Sequence, residues 1–140
     1  MGDREAVYSE ARMEDKRVGY GEWPAIVVID LQYGETDEEY PMGSDLSAVI
    51  EATNELVDVA HAKDVPVFWT RVVYTHPDAA DAGKWTAKVP LIAEWKAGTR
   101  WVEIDDRCHV GENDHVLDKR HASAFHETEL DSMLASLSAD

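Results

Sequence analysis

One cysteine in 140 residues, Cys108, has no internal partner for a disulfide, so no covalent staple constrains the chain. Nothing in the cysteine usage calls for an oxidising compartment. Basic side chains are scarce: 13 Lys and Arg against 29 Asp and Glu give a formal net charge of −16. Nucleic-acid affinity rests on Lys and Arg displacing phosphate counterions, so this balance argues against a nucleic-acid partner. It equally opposes an anionic membrane surface. No stretch approaches the ~20 apolar residues that a membrane span requires. The opening MGDREAVYSEARMEDKR is too charged for the apolar region of a secretory signal. Internal repeats, low-complexity segments and domain-splitting linkers are also lacking. What remains reads as a soluble, cytoplasmic α/β domain.

The composition itself is ordinary, with 44% hydrophobic residues. A domain of this length buries roughly two-thirds of the surface its unfolded chain exposes. The acidic residues are scattered rather than gathered in a tail. A salt-loving source and an ordinary acidic protein both account for such a surface.

Residues 1 to about 22 read as an N-terminal arm with one short, weakly amphipathic helix, and 23–140 as part of a single domain. Ala25-Ile26-Val27-Val28-Ile29 is a continuous, largely β-branched run without alternation, the pattern of a parallel strand buried on both faces. A polar loop follows, Tyr33 to Gly43. Ser44-Asp45 then caps a predicted helix to about Lys63, with Leu46, Val49, Ile50, Leu56, Val57 and Ala60 on its apolar stripe. Val65 to Tyr74 is the second strand, completing a βαβ unit. From Thr75 to about Asn113 the chain is loop-rich, broken by a predicted short helix, Val89 to Lys96, and an extended piece, Trp101 to Ile104. His115-Val116-Leu117 reads as a third strand leading into Asp118-Lys119. A last helix starts near Thr128, its stripe formed by Leu130, Met133, Leu134 and Leu137. Three parallel strands leave open edges and uncovered helix faces, so the sheet reads as unfinished.

Two residues carry candidate chemistry. Asp30 ends the first strand, at the carboxyl end where open α/β sheets place their ligands; a carboxylate there suits a general base or caps the loop backbone. Lys119 ends the third strand in the same way and converges on the same crevice, or lies at the surface beside Asp118. Together they form an acid/base constellation without a nucleophile.

The strand Ala25-Ile26-Val27-Val28-Ile29-Asp30-Leu31-Gln32 resembles the opening motif of the isochorismatase-like cysteine hydrolases. Lys119-Arg120-His121-Ala122-Ser123-Ala124-Phe125-His126-Glu127-Thr128-Glu129-Leu130 resembles their second motif, a lysine, then Ser-Ala-Phe, then Thr-x-Leu opening a helix. Phe68 to Tyr74, Asp81 to Lys84, Lys88 to Leu91 and Trp101 to Ile104 are most similar to the N-carbamoylsarcosine amidase branch. The resemblance covers about residues 23–138. It implies a Rossmann-like three-layer α/β/α domain, with a mainly parallel sheet incomplete in this chain, and a Cys-Asp-Lys triad. Asp30 matches the base that takes the thiol proton, and Lys119 the residue that holds the pair and favours the thiolate. The family's nucleophile, in a Gly-rich segment beyond the second motif, is absent from this chain, so the resemblance implies the N-terminal portion of a longer hydrolase.

Cys108 is a poor substitute, because it precedes Lys119 within Asp105-Asp106-Arg107-Cys108-His109, away from a strand end, and neighbouring carboxylates raise a thiol's pKa. His109, His115, His121 and His126 are spaced by six, six and five residues, which is not a metal-ligand spacing on one helix. Tyr74-Thr75-His76-Pro77-Asp78 lacks the full metal pattern of the nicotinamidase branch. No metal and no other cofactor is expected. Trp23 and Trp69 read as core or helix-packing residues; Trp85, Trp95 and Trp101 line a pocket, meet a partner or pack internally. Arg71, Tyr74 and Trp85 are candidate pocket-shaping residues without assigned roles.

The expected activity is a hydrolase cleaving a C–N bond of a small amide or carbamoyl substrate, its thiol supplied from outside this chain. A complementary polypeptide, a homo-oligomer, or both are the expected partners. Two alternatives stay open: a non-catalytic subunit or scaffold of the same fold, and isochorismatase- or nicotinamidase-type activity.

Overall fold

A computed structural model describes residues 21–140; the predicted N-terminal arm helix lies outside the described residues. Strand β1 (Ile26–Ile29) runs into a one-turn helix α1 (Tyr33–Thr36). Helix α2 (Ser47–His61) crosses over to strand β2 (Val67–Val72). Then come a one-turn helix α3 (Trp85–Lys88), strand β3 (His115–Lys119) and helix α4 (Leu130–Ser136). The three strands form one parallel sheet in the order β1-β2-β3, with Ile29 opposite Thr70 and Val72 opposite Lys119. This is the mixed α/β frame that the apolar, β-branched runs predict. No described helix is long and apolar enough to cross a membrane.

Several boundaries move for identifiable reasons. Helix α2 starts at Ser47 rather than at Ser44-Asp45, because the Asp45 carboxylate accepts from the Ser47 amide at 3.0 Å and hydroxyl at 2.6 Å just before the first turn. Ile50, Val57 and Ala60 of its predicted stripe are buried, whereas Val49 and Leu56 stand about half exposed. Strand β2 is shorter than Val65 to Tyr74, although Tyr74 still makes one isolated bridge to Lys96. The predicted helix Val89 to Lys96 is instead a 3₁₀ turn, Pro90–Glu94, that follows α3, since Pro90 has no N–H to continue the α ladder. Trp101 lies in another 3₁₀ turn, Arg100–Val102, and only Ile104 of the predicted extended piece pairs, antiparallel to Gln32. Helix α1 falls in the stretch expected to be polar loop.

Two apolar clusters hold the sheet. On the α2 side, Val28, Leu31, Ile50, Val57, Ala60, Val67, Trp69 and Cys108 pack together. Beyond the carboxyl end of β2, Val72, Val73 and Tyr74 meet Ala79, Ala82, Ile92, Trp95 and Val102 of the long connection. That second cluster gives the connection a core of its own. The expectation that β1 is buried on both faces is corrected: Ile29 is 63% exposed, because among the described residues β1 pairs only with β2. Trp23, expected in the core or packed on a helix, is 64% exposed ahead of the strand.

Candidate active site

Where β1 ends, the Asp30 amide still donates to the Thr70 carbonyl at 3.0 Å, but its φ has turned to 59°. This left-handed conformation is uncommon for a side-chain-bearing residue and best tolerated by Asn and Asp. Two neighbours fix the carboxylate. The Thr70 hydroxyl donates to Oδ1 at 3.1 Å, and Lys119 Nζ donates to Oδ2 at 2.8 Å. Lys119 has only 2% of its side chain exposed. Its other ammonium donors reach the carbonyls of His121 at 3.3 Å and Ala122 at 3.1 Å. All three N–H groups are thus used, the condition under which a buried cation is tolerated. The alternative of a surface lysine paired with Asp118 is overturned: Asp118 accepts from Arg71 Nε at 2.6 Å instead.

Gln32 stabilises the same strand ends. Fully buried, it accepts from the Val72 amide at 2.6 Å and donates to the Val72 carbonyl at 3.4 Å. The side-chain amide thereby replaces a missing backbone neighbour where β2 outruns β1.

Asp30 and Lys119 line a cavity of about 290 Å³ walled by Val72, Tyr74, Ile92 and Trp95, with Trp85, Arg120 and His121 also lining it. Of the candidate pocket-shaping residues, Tyr74 and Trp85 line this cavity; Arg71 does not, being held by Asp118 and by the Val102 carbonyl at 3.3 Å. Glu35 joins the cavity from α1. Burial pushes its carboxyl above the usual value, the Asp30 charge adds to that, and Lys119 partly offsets it. A larger hollow of about 700 Å³ lies elsewhere, lined by Tyr33, Asp45, Asp105 and Arg107. Its central charges already satisfy each other: Asp105 accepts from Arg107 at 2.7 Å and from the Thr36 hydroxyl at 2.6 Å. The smaller, more apolar cavity with convergent polar groups is the better candidate for chemistry.

Cys108 sits in the α2-side cluster, outside the cavity lining. Burial, reinforced by the Asp105 charge and opposed by Arg107, pushes its thiol up to about 11. The histidines are less scattered than their spacing suggests. His121 and His126 meet edge to face at 4.4 Å, and His121 Nε2 lies 3.0 Å from Glu127 Oε2. His109 pairs with Asp58 at 2.9 Å, and His115 stacks on Phe68 at 4.9 Å.

The sequence reading passed over Glu35, Gln32 and Thr70, whereas Trp95, one of the tryptophans read as lining a pocket, meeting a partner or packing internally, does line the cavity. A signal for two of them was present: Thr70 is the one uncharged polar side chain inside the β2 run, and Gln32 follows Asp30 by two residues. Trp95 is 7% exposed, and among the described residues its indole N–H has no hydrogen-bond partner.

A parallel sheet with a carboxylate and a lysine joined at the carboxyl ends of its strands is the frame of a Rossmann-like α/β domain with its site at the strand ends. The chain belongs to the isochorismatase family: the Isochorismatase domain matches residues 24–140. It is 35% identical over 136 residues to an N-carbamoylsarcosine amidase of Arthrobacter sp, covering 94% of this chain and 51% of that protein. It is 29% identical over 126 residues to a maleamate amidohydrolase of Pseudomonas putida, covering 89% of this chain and 59% of that protein. A cysteine hydrolase structure from Pseudomonas syringae pv. phaseolicola superposes with a TM-score of 0.75 at 23% identity, over 87% of this chain and 61% of that one. The chain therefore spans between half and two-thirds of the length of these relatives.

Proposed function

We propose that this chain supplies Asp30 and Lys119 to a Cys-Asp-Lys amidohydrolase site, with the thiol contributed from outside these 140 residues, and that residues 23–140 form the N-terminal part of that hydrolase domain. The observation that carries the reading is the 2.8 Å contact between Lys119 Nζ and Asp30 Oδ2 within a small, largely apolar cavity. Asp30 takes the proton of the incoming thiol. The resulting thiolate attacks the amide or carbamoyl carbonyl carbon, and as the C–N bond breaks the protonated Asp30 returns that proton to the departing amine. Water then cleaves the thioester and restores the thiol. Lys119 holds Asp30 in place and offsets negative charge as the thiolate forms. The two named relatives, an N-carbamoylsarcosine amidase and a maleamate amidohydrolase, suggest small carbamoyl or amide substrates.

The complementary segment fits the edge of β1 that is unpaired among the described residues. Beside that edge lies an apolar hollow of about 610 Å³ lined by Val27, Ile29, Val49 and Leu56. An open edge flanked by apolar side chains receives a further strand readily. The same surface favours a second reading, a non-catalytic subunit that uses the fold only for association.

Denaturing and native mass spectrometry of active material, followed by Lys119→Ala, separates the two. The catalytic reading expects a second polypeptide or segment bearing a cysteine, and loss of hydrolysis in the variant with assembly intact. Unchanged turnover of N-carbamoylsarcosine or maleamate in Lys119→Ala would overturn it and leave the scaffold.

A further inference from the structure

The turn between β3 and α4 gathers three metal-ligating side chains that the proposed amidohydrolase chemistry does not use. His121, His126 and Glu127 place their ligand atoms within 4.8 Å of one another. The Glu127 carboxylate spans the two rings, with Oε2 at 3.0 Å from His121 Nε2 and Oε1 at 3.9 Å from His126 Nε2. Ligand atoms around a tetrahedral zinc ion, with bonds of about 2.1 Å, stand about 3.4 Å apart. The two observed separations, each to a different oxygen of the one carboxylate, lie near that value, and side-chain rotation brings the three ligands onto one ion. The histidines are five positions apart. A helix would not align that spacing, but this chain turns within it, the His126 amide donating to the Ser123 carbonyl at 3.2 Å.

We propose that His121, His126 and Glu127 form a binding site for a divalent transition metal of the Zn²⁺ class at the rim of the Asp30–Lys119 cavity. Two imidazoles and a carboxylate suit zinc, cobalt or nickel rather than calcium or magnesium, which take oxygen ligands. The half-exposed position leaves a fourth coordination site for water, and the net charge of −16 concentrates cations around the protein. One cation competes: Arg120 Nη2 lies 3.6 Å from Glu127 Oε2, and the metal displaces it. His121 also lines the cavity, and its carbonyl accepts from Lys119 Nζ at 3.3 Å. Metal ligation therefore pins the turn that holds the buried lysine. The site uses only this chain, so it stands or falls independently of the amidohydrolase reading.

Calorimetric titration of the full chain with ZnCl₂ in a non-chelating buffer, paired with visible absorption on adding CoCl₂, tests the site. Expected are one high-affinity ion per chain and tetrahedral cobalt bands. His126→Ala and Glu127→Gln, both at exposed positions, should each weaken binding at least about tenfold. His109→Ala, at the separate His109–Asp58 pair, should leave binding unchanged, with circular dichroism confirming that each variant folds. Absence of binding overturns the proposal. So does binding that persists in both the His126 and Glu127 variants, or that is lost with His109.

Discussion

Lys119 and Asp105 show how this protein buries charge at single residues. Each has 2% or less of its surface exposed, and each is saturated by partners: Asp30 and two carbonyls for the lysine, Arg107 and Thr36 for the aspartate. Burial opposes ionisation of Asp105, but the hydrogen bonds from Arg107 and Thr36 outweigh it and hold the carboxyl down from 3.8 to about 2. A carboxyl whose folded value is depressed stabilises the fold above its unfolded value, and that stability is lost as pH falls through the folded one. Asp105 therefore contributes about 2 kcal/mol at neutral pH, lost between about pH 4 and pH 2. Asp105→Asn should lower stability by about 2–3 kcal/mol at pH 7 and flatten the acid limb of the unfolding curve, as read by urea denaturation across pH. A variant equal to the parent at pH 7 would show that the pair is energetically neutral. At this scale the sequence named Asp30 and Lys119, since both end apolar strand runs. It placed both at one crevice but left the lysine's partner open between Asp30 and Asp118, because the contact spans 89 residues and no local pattern decides it. The tight turn that brings His121 to His126 was equally hidden, since it depends on backbone conformation rather than on periodicity.

At the scale of elements, the one-turn helix α1 depends on close approach. A Cβ on Gly34 would stand 2.7 Å from Trp95 Nε1 and 3.0 Å from Trp101 Cε3, closer than ordinary contact allows. Both indoles are held by packing, Trp95 in the cluster beyond β2 and Trp101 edge-on to Tyr40 at 4.6 Å. Gly34→Ala should therefore destabilise the protein by about 1–3 kcal/mol through overpacking. Glu35 follows Gly34 on the same turn, so the substitution should also disturb the cavity wall. Thermal denaturation checks the first effect, and an unchanged melting temperature would mean that the tryptophans yield freely. The long strands and α2 were legible because their apolar runs and three- or four-residue repeats are local signals. The one-turn helix and the 3₁₀ turns were not, because four residues contain too little of a repeat to register. Their conformation follows from packing against indoles far along the chain.

Across the whole molecule, a charge of −16 spread over 140 residues makes self-repulsion a global term. Raising NaCl from about 0.05 M to about 1 M shortens the Debye length from more than 10 Å to about 3 Å and screens most of that repulsion. The melting temperature should rise by several degrees over this range, measured with KCl as a control for ion identity. A fall would show that surface ion pairs such as Arg71–Asp118 outweigh the repulsion. The exposed apolar side chains beside β1, Ile29, Val49 and Leu56, belong to this scale as well, as the surface on which the proposed complementary segment would lie.

The sequence by itself determined the class of the sheet, the crossover helix, the acidic surface and the two strand-end residues, because burial periodicity and composition are properties of neighbouring residues. Tertiary structure alone decided that Lys119 binds Asp30 rather than Asp118, and that Cys108 is buried in the core instead of facing the cavity. It also decided that Glu35 and Trp95 complete the cavity walls. Each of these is a meeting of segments distant in sequence, fixed by strand order and register rather than by any local pattern.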